Sequence, residues 1–123
     1  MRALIIDDSR TMRCLLKEYV ANATGAEIQQ VENGADALRS LAAHMPVDFA
    51  LVDWDMPGMT GIEFVRAVRA LLCYDGVKLM MVTARVDEGA LSEALTEGAD
   101  DFLMKPLDEE LVADKLRILG FAE

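Results

Sequence analysis

"LVDWDMPGMTG", residues 51–61, is the stretch on which the fold turns. The residues "FALV" at 49–52 are apolar without a break, and the run stops on an acid, Asp53. A short continuous apolar run bounded by turn residues reads as a parallel strand covered on both faces. Beyond it, Asp55, Pro57, Gly58 and Gly61 carry the chemistry of a turn. Thr60 with Glu63 then forms the S/T-x-x-E pattern that opens a helix. Strand, polar end, short turn and capped helix make one βα unit. A carboxylate at the mouth of a buried strand is costly to place there.

The same unit recurs along the chain. "ALII" (3–6), "EIQQV" (27–31), "VKLMMV" (77–82) and "DFLM" (101–104) read as further strands. Residues 10–22 place Met12, Leu15, Leu16 and Tyr19 at i, i+3, i+4, i+7 spacing, and 35–43, 61–72, 88–97 and 109–119 carry shorter versions of that period. Ser9, Asn33, Asp87 and Asp108 suit N-caps as Thr60 does, while Gly98 and Gly120 suit C-caps. The pattern predicts an α/β fold, a doubly wound five-stranded parallel sheet with five helices on its two faces. With no linker, repeat or low-complexity segment, residues 1–123 are expected to be a single domain.

A net charge of −10 argues against nucleic acid or an anionic membrane as direct partner. The early apolar run "ALII" is too short for a signal peptide or a spanning helix, so a cytoplasmic location is expected. Cys14 and Cys73 make no metal-type cluster and are expected to be reduced packing residues. The eight methionines, among them Met56, Met59, Met80, Met81 and Met104, read as core filling. His44, before Pro46, reads as a helix C-terminal residue rather than a phosphorelay histidine. From Arg85 to Lys115 ten acids face three bases, mostly a solvated face. If it is an output face, its partner should be basic and should not be DNA.

The informative residues stand where the apolar strands end: Asp7 and Asp8, Asp53, Thr83, and Lys105 before Pro106. In a parallel sheet these ends share one edge, where ligands bind at the point of reversed strand order. The order 2-1-3-4-5, adopted from known sheets of this kind rather than deduced, sets Asp8 opposite Asp53. Two carboxylates about 5 Å apart repel by roughly 3 kcal/mol at an effective dielectric near 20. Lys105 supplies one positive charge, and a hard divalent cation such as Mg²⁺ (or Mn²⁺) would supply the rest. Acids, hydroxyl and ammonium together describe a site for phosphoryl transfer with Asp53 as nucleophile.

In "IIDDSRTMR" (5–13), "LVDWDMPGMTG" (51–61), "MVTA" (81–84) and "FLMKP" (102–106) the chain resembles the receiver domain of bacterial response regulators, close to the stand-alone, chemotaxis-type (CheY-like) members. The resemblance spans essentially the whole chain and implies a flavodoxin-like fold. It implies Asp53 as phosphoacceptor, Mg²⁺ held by the carboxylates of Asp8 and Asp53 and the backbone carbonyl of Asp55, and Asp7 acting through metal-bound water. It further implies that Thr83 and Lys105 contact phosphoryl oxygens and that the Lys105–Pro106 bond is cis. The donor would be a sensor histidine kinase, a phosphotransfer protein or a small acyl phosphate. Phosphorylation would draw Thr83 inward, let the side chain at 102 rotate, and bias the face of the fourth helix, fifth strand and fifth helix toward a downstream protein target.

Position 102 is Phe where the chemotaxis regulator has Tyr, so any switch there would act by packing alone. Asp55 and Arg85, each two residues beyond a site residue, are candidates to pair across the mouth and slow loss of the phosphoryl group. The chain is expected to be a signalling switch rather than an enzyme, taking part only in its own phosphorylation and dephosphorylation. Its start at Met1 and end at Glu123 favour a stand-alone switch over a receiver cut from a longer regulator with an output domain. A third reading, a haloacid-dehalogenase-like phosphohydrolase, rests on Asp53-x-Asp55. It is weakened by the Met56-Pro57-Gly58 that follows.

Overall fold

The computed structural model describes residues 1–84 and 87–122. Five strands, β1 (Arg2–Ile6), β2 (Glu27–Val31), β3 (Phe49–Asp53), β4 (Lys78–Thr83) and β5 (Asp101–Met104), alternate with α1 (Arg10–Thr24), α2 (Gly34–His44), α3 (Gly61–Arg69), α4 (Glu88–Glu97) and α5 (Glu109–Ile118). The strands pair in parallel in the order β2-β1-β3-β4-β5. The predicted α/β class, strand order and helix number are those found.

Side chains of successive strand residues point to opposite faces. Leu4, Ile6, Ala50, Val52, Leu79 and Met81 therefore meet residues of α2, α3 and α4, among them Leu41, Phe64 and Ala94. Ala3, Ile5, Phe49, Leu51, Met80 and Val82 meet Leu16 and Val20 of α1 and Val112 and Leu116 of α5. The three inner strands are buried almost throughout, whereas the edge strands β2 and β5 are largely half-buried or exposed. Ser9, Asn33, Thr60, Asp87 and Asp108 each accept a backbone N–H of the first turn of their helix, and Thr60 with Glu63 completes the capping box. Gly98 takes a φ of 122° at the end of α4, a backbone state suited to glycine.

Two expectations need correction. Helix α3 stops at Arg69 rather than running to 72; Leu71 is extended and a 3-10 turn covers Leu72–Tyr74. The Arg69 guanidinium organises this departure, donating to the carbonyls of Tyr74 (3.0 Å), Val77 (2.7 Å) and Gly98 (2.9 Å) and to Asp100 Oδ2 (3.0 Å). Cys14 and Cys73 are exposed rather than packed. Cys14 lies on the outer face of α1, away from Leu16 and Val20, and Cys73 lies in the 3-10 turn. The acid-rich stretch is the mostly exposed face expected, and part of it is matched by bases: Glu93 and Glu97 pair with Arg66, Asp100 with Arg69 and Lys78, Asp101 with Lys115, and Asp114 with Arg117. Much of that positive charge comes from α3 and β4, outside the window counted along the sequence. Among the described residues no helix is long and apolar enough to cross a membrane.

Candidate functional site

All the strand-end residues singled out above reach one edge of the sheet. Asp7 and Asp8 follow β1, Asp53 closes β3, Thr83 closes β4, and Lys105 follows β5. The register brings Asp53 beside Val82 and Thr83 beside Met104, so three neighbouring strands end level with one another. Asp7, Asp53 and Thr83 are buried, and Asp8 is exposed at the rim.

The local chain holds each group in place. Ser9 donates its N–H to Asp7 Oδ1 (2.8 Å), while its hydroxyl caps α1 by accepting from the Met12 amide (3.3 Å). The Trp54 amide donates to Val82 (3.0 Å), and the Trp54 carbonyl accepts the Gly61 amide (3.0 Å), which ties the turn after Asp53 to both β4 and α3. A Cβ at Gly61 would stand 2.6 Å from the Asp53 carbonyl oxygen and 3.0 Å from Trp54 Cα, so only glycine lets α3 begin this close to the acid. The Lys105–Pro106 bond is cis, as is Met45–Pro46.

Lys105 Nζ stands 3.3 Å from Asp53 Oδ1. Carboxylate oxygens of Asp7, Asp8 and Asp53 all lie within 4.8 Å of one another. Burial, reinforced by the charge of Asp7, pushes the Asp53 carboxyl up to about 6, against the pull of Lys105 and of the Asp55 backbone N–H. Burial also raises Asp7, against the Ser9 N–H and the positive charge of Lys105. Among the described residues Asp7 Oδ2 is buried with no hydrogen-bond partner. Three clustered carboxylates, one of them with an orphaned buried oxygen, form an all-oxygen donor set that fits a hard divalent cation.

Phe102 lies in β5, half-buried, packed against the core on the α3–α4 face. Trp54 is buried beside Asp53 in the same core. Asp55 is exposed two residues past Asp53. Its expected pairing falls on Arg85, which lies outside the described residues. His44 is exposed in the last turn of α2, remote from the site edge; its carbonyl accepts Arg2 Nη1 (2.9 Å).

One residue of the site was not singled out from the sequence. Arg13 donates from Nη1 to the Asp7 carbonyl (2.7 Å) and approaches Glu32 to 3.9 Å, with its side chain only 12% exposed. It braces the turn that carries Asp7 and Asp8. The signal available was the last letter of "IIDDSRTMR", a base one turn into the helix that follows the two acids Asp7 and Asp8.

A crevice of acids with one lysine, at the carboxyl edge of a 2-1-3-4-5 sheet, is the arrangement of a receiver. Residues 3–117 match the response regulator receiver domain family, and the chain belongs to it. A chemotaxis protein CheY homolog of Campylobacter jejuni is 31% identical over 98% of this chain and 93% of its own length. The chemotaxis protein CheY of Pseudomonas aeruginosa is 34% identical over 94% and 93%. The structure of the chemotaxis protein CheY4 of Vibrio cholerae superposes with a TM-score of 0.88 at 30% identity, covering 95% of this chain and 96% of that one. CheY-like receivers are signalling proteins rather than classical enzymes, and receivers bind Mg²⁺ at such an acidic pocket.

Proposed function

We propose that this chain is a phosphorylation switch of a two-component system, with Asp53 as phosphoacceptor, and that residues 1–123 act as one response regulatory domain. The observation that carries the reading is the convergence on Asp53: a buried carboxylate 3.3 Å from Lys105 Nζ, with two further carboxylates inside 4.8 Å. At pH 7, an acid with a pKa of about 6 is roughly nine-tenths ionised, so the nucleophilic form predominates. One Asp53 oxygen forms the new bond to phosphorus as the bond to a histidine nitrogen or acyl oxygen of the donor breaks. Lys105 offsets the charge that gathers on the transferred group, and the Thr83 hydroxyl contacts one of its oxygens.

Asp8 and Asp53 through their carboxylates, Asp55 through its carbonyl and Asp7 through water would hold Mg²⁺. Held there, it would supply charge neutralisation to the phosphoryl oxygens. The phosphoryl group adds about −1.5 to −2 charges and new acceptor oxygens. Moving a two-state switch from 1:99 to 99:1 needs about 5.5 kcal/mol, and two charge-assisted bonds at roughly 1.5–3 kcal/mol each are of that order. The readout we assign is the α4-β5-α5 face, with Phe102 reporting by packing. The donor is a sensor histidine kinase or a phosphotransfer protein, the target a protein rather than nucleic acid, and the compartment the cytoplasm. The matched relatives carrying chemotaxis in their names support a chemotaxis-like, stand-alone role.

The test is acetyl phosphate with Mg²⁺, read by intact mass. The wild-type chain should gain one phosphoryl group that is lost on chelating the metal before reaction, and Asp53→Asn should gain none. An unmodified wild type, both with acetyl phosphate and with phosphorylated histidine kinases, would defeat the reading.

A further inference from the structure

Phe102 is held from two sides. Its ring packs on the core of the α3–α4 face, and the Lys115 ammonium, reaching from α5 around the edge strand, stands 5.3 Å from the ring centroid. Lys115 does not wander: Asp101 Oδ1 is 2.9 Å from its Nζ, and both side chains are three-quarters or more buried, at 25% and 20% exposure. The same Asp101 oxygen accepts the Phe102 backbone N–H at 2.8 Å. That amide belongs to an edge strand, where part of the backbone lacks a ladder partner. One carboxylate oxygen therefore fixes the backbone of residue 102 and the cation over its ring.

We propose that Asp101 and Lys115 are positioning residues for Phe102, forming a latch that holds its ring beneath the Lys115 ammonium at the free edge of β5. The inference rests on the receiver-switch reading above for its consequence, though the latch itself is built only from these contacts. Thr83 lies one strand inward from β5, so a ring that turns toward it leaves the ammonium. A tyrosine could hold a switched position by a hydrogen bond from its hydroxyl. Phenylalanine has no such group, and its resting position must be set by packing and by the electrostatic attraction of a cation to the ring face. The latch supplies that attraction. Switching must release it, so weakening the latch favours the turned ring.

The experiment uses the full chain labelled with 4-fluorophenylalanine, which places a fluorine on each of its four phenylalanines. The Phe102 signal is assigned with Phe102→Leu, and the protein is titrated with beryllofluoride in Mg²⁺. In Lys115→Gln and in Asp101→Asn the Phe102 resonance should move toward its analogue-bound position before any analogue is added. Half-saturation should then fall about two- to fivefold. Lys115→Arg, which retains a cation over the ring, should restore the wild-type signal, and the double variant should show no more than either single change. A merely structural role would move the Phe49, Phe64 and Phe121 resonances as well. If Phe102 stays in place in both single variants while the wild type responds to analogue, the latch is wrong and the switch stands. If the wild type itself shows no response, the receiver-switch reading fails.

Discussion

Asp53→Asn should make the protein more stable at neutral pH, although it removes the residue on which signalling depends. The carboxyl of Asp53 titrates near 6 in the folded chain against 3.8 for an ordinary aspartate, chiefly because it is buried and faces Asp7. A gap of about two pKa units corresponds to roughly 3 kcal/mol. The folded state binds the proton more tightly than the unfolded state, so stability falls as pH rises through the window from about 4 to about 6. Above that window the whole cost of the buried charge is present; below it, none. Asparagine keeps the shape and removes the charge, while Lys105 loses its ionic partner and returns part of the gain. The expected net effect in chelator at pH 7 is a stabilisation of about 1–3 kcal/mol that shrinks toward zero by pH 4.

Urea unfolding followed by Trp54 fluorescence, at intervals from pH 4 to pH 8, measures this difference directly. Magnesium should reverse the ranking. A ligand at a hundred times its dissociation constant adds about 2.7 kcal/mol to the form that binds it, and Asp53→Asn removes one of the carboxylates. A variant that unfolds at the same or lower urea at pH 7 would refute the claim that burial, opposed only in part by Lys105, dominates this carboxyl. So would a gain that persists undiminished at pH 4.

Two further outcomes follow from the packing. Gly61→Ala should cost about 1–3 kcal/mol, because its Cβ meets the Asp53 carbonyl at 2.6 Å and Met81 Cε at 2.8 Å, and it should weaken Mg²⁺ binding measured by Trp54 fluorescence. Arg69→Ala should cost about 2–4 kcal/mol in urea unfolding, since it strips donors from three carbonyls and Asp100. The same variant should leave the rate of labelling by acetyl phosphate unchanged, because these contacts lie around the turns that lead into β4 and β5, away from the Asp53 edge.

Elements and their starts were legible in the residues because they depend on near neighbours. Apolar runs bounded by turn residues marked the strands, and a side chain accepting a backbone N–H two or three residues on marked each helix start. The end of α3 was not legible. Leu71 and Leu72 continue the helical spacing, yet the chain leaves the helix to meet carbonyl partners that Arg69 gathers from as far away as Gly98. The two cysteines were misjudged for a related reason: residue type carries an average tendency toward burial, and only the packed helix shows which face is outward.

The sequence by itself determined which side chains could do chemistry here: the acids, the threonine and the lysine at strand ends, and the phenylalanine at 102. Their types set what they can bind and donate, whatever surrounds them. The tertiary structure decided how they act on one another. The distance from Lys105 to Asp53, the burial that lifts Asp53, the brace of Arg13 on Asp7 and the hold of Asp101 and Lys115 on Phe102 depend on spatial approach. Electrostatic strength depends on separation and on exclusion of water, and both arise only when strands far apart in the chain lie side by side.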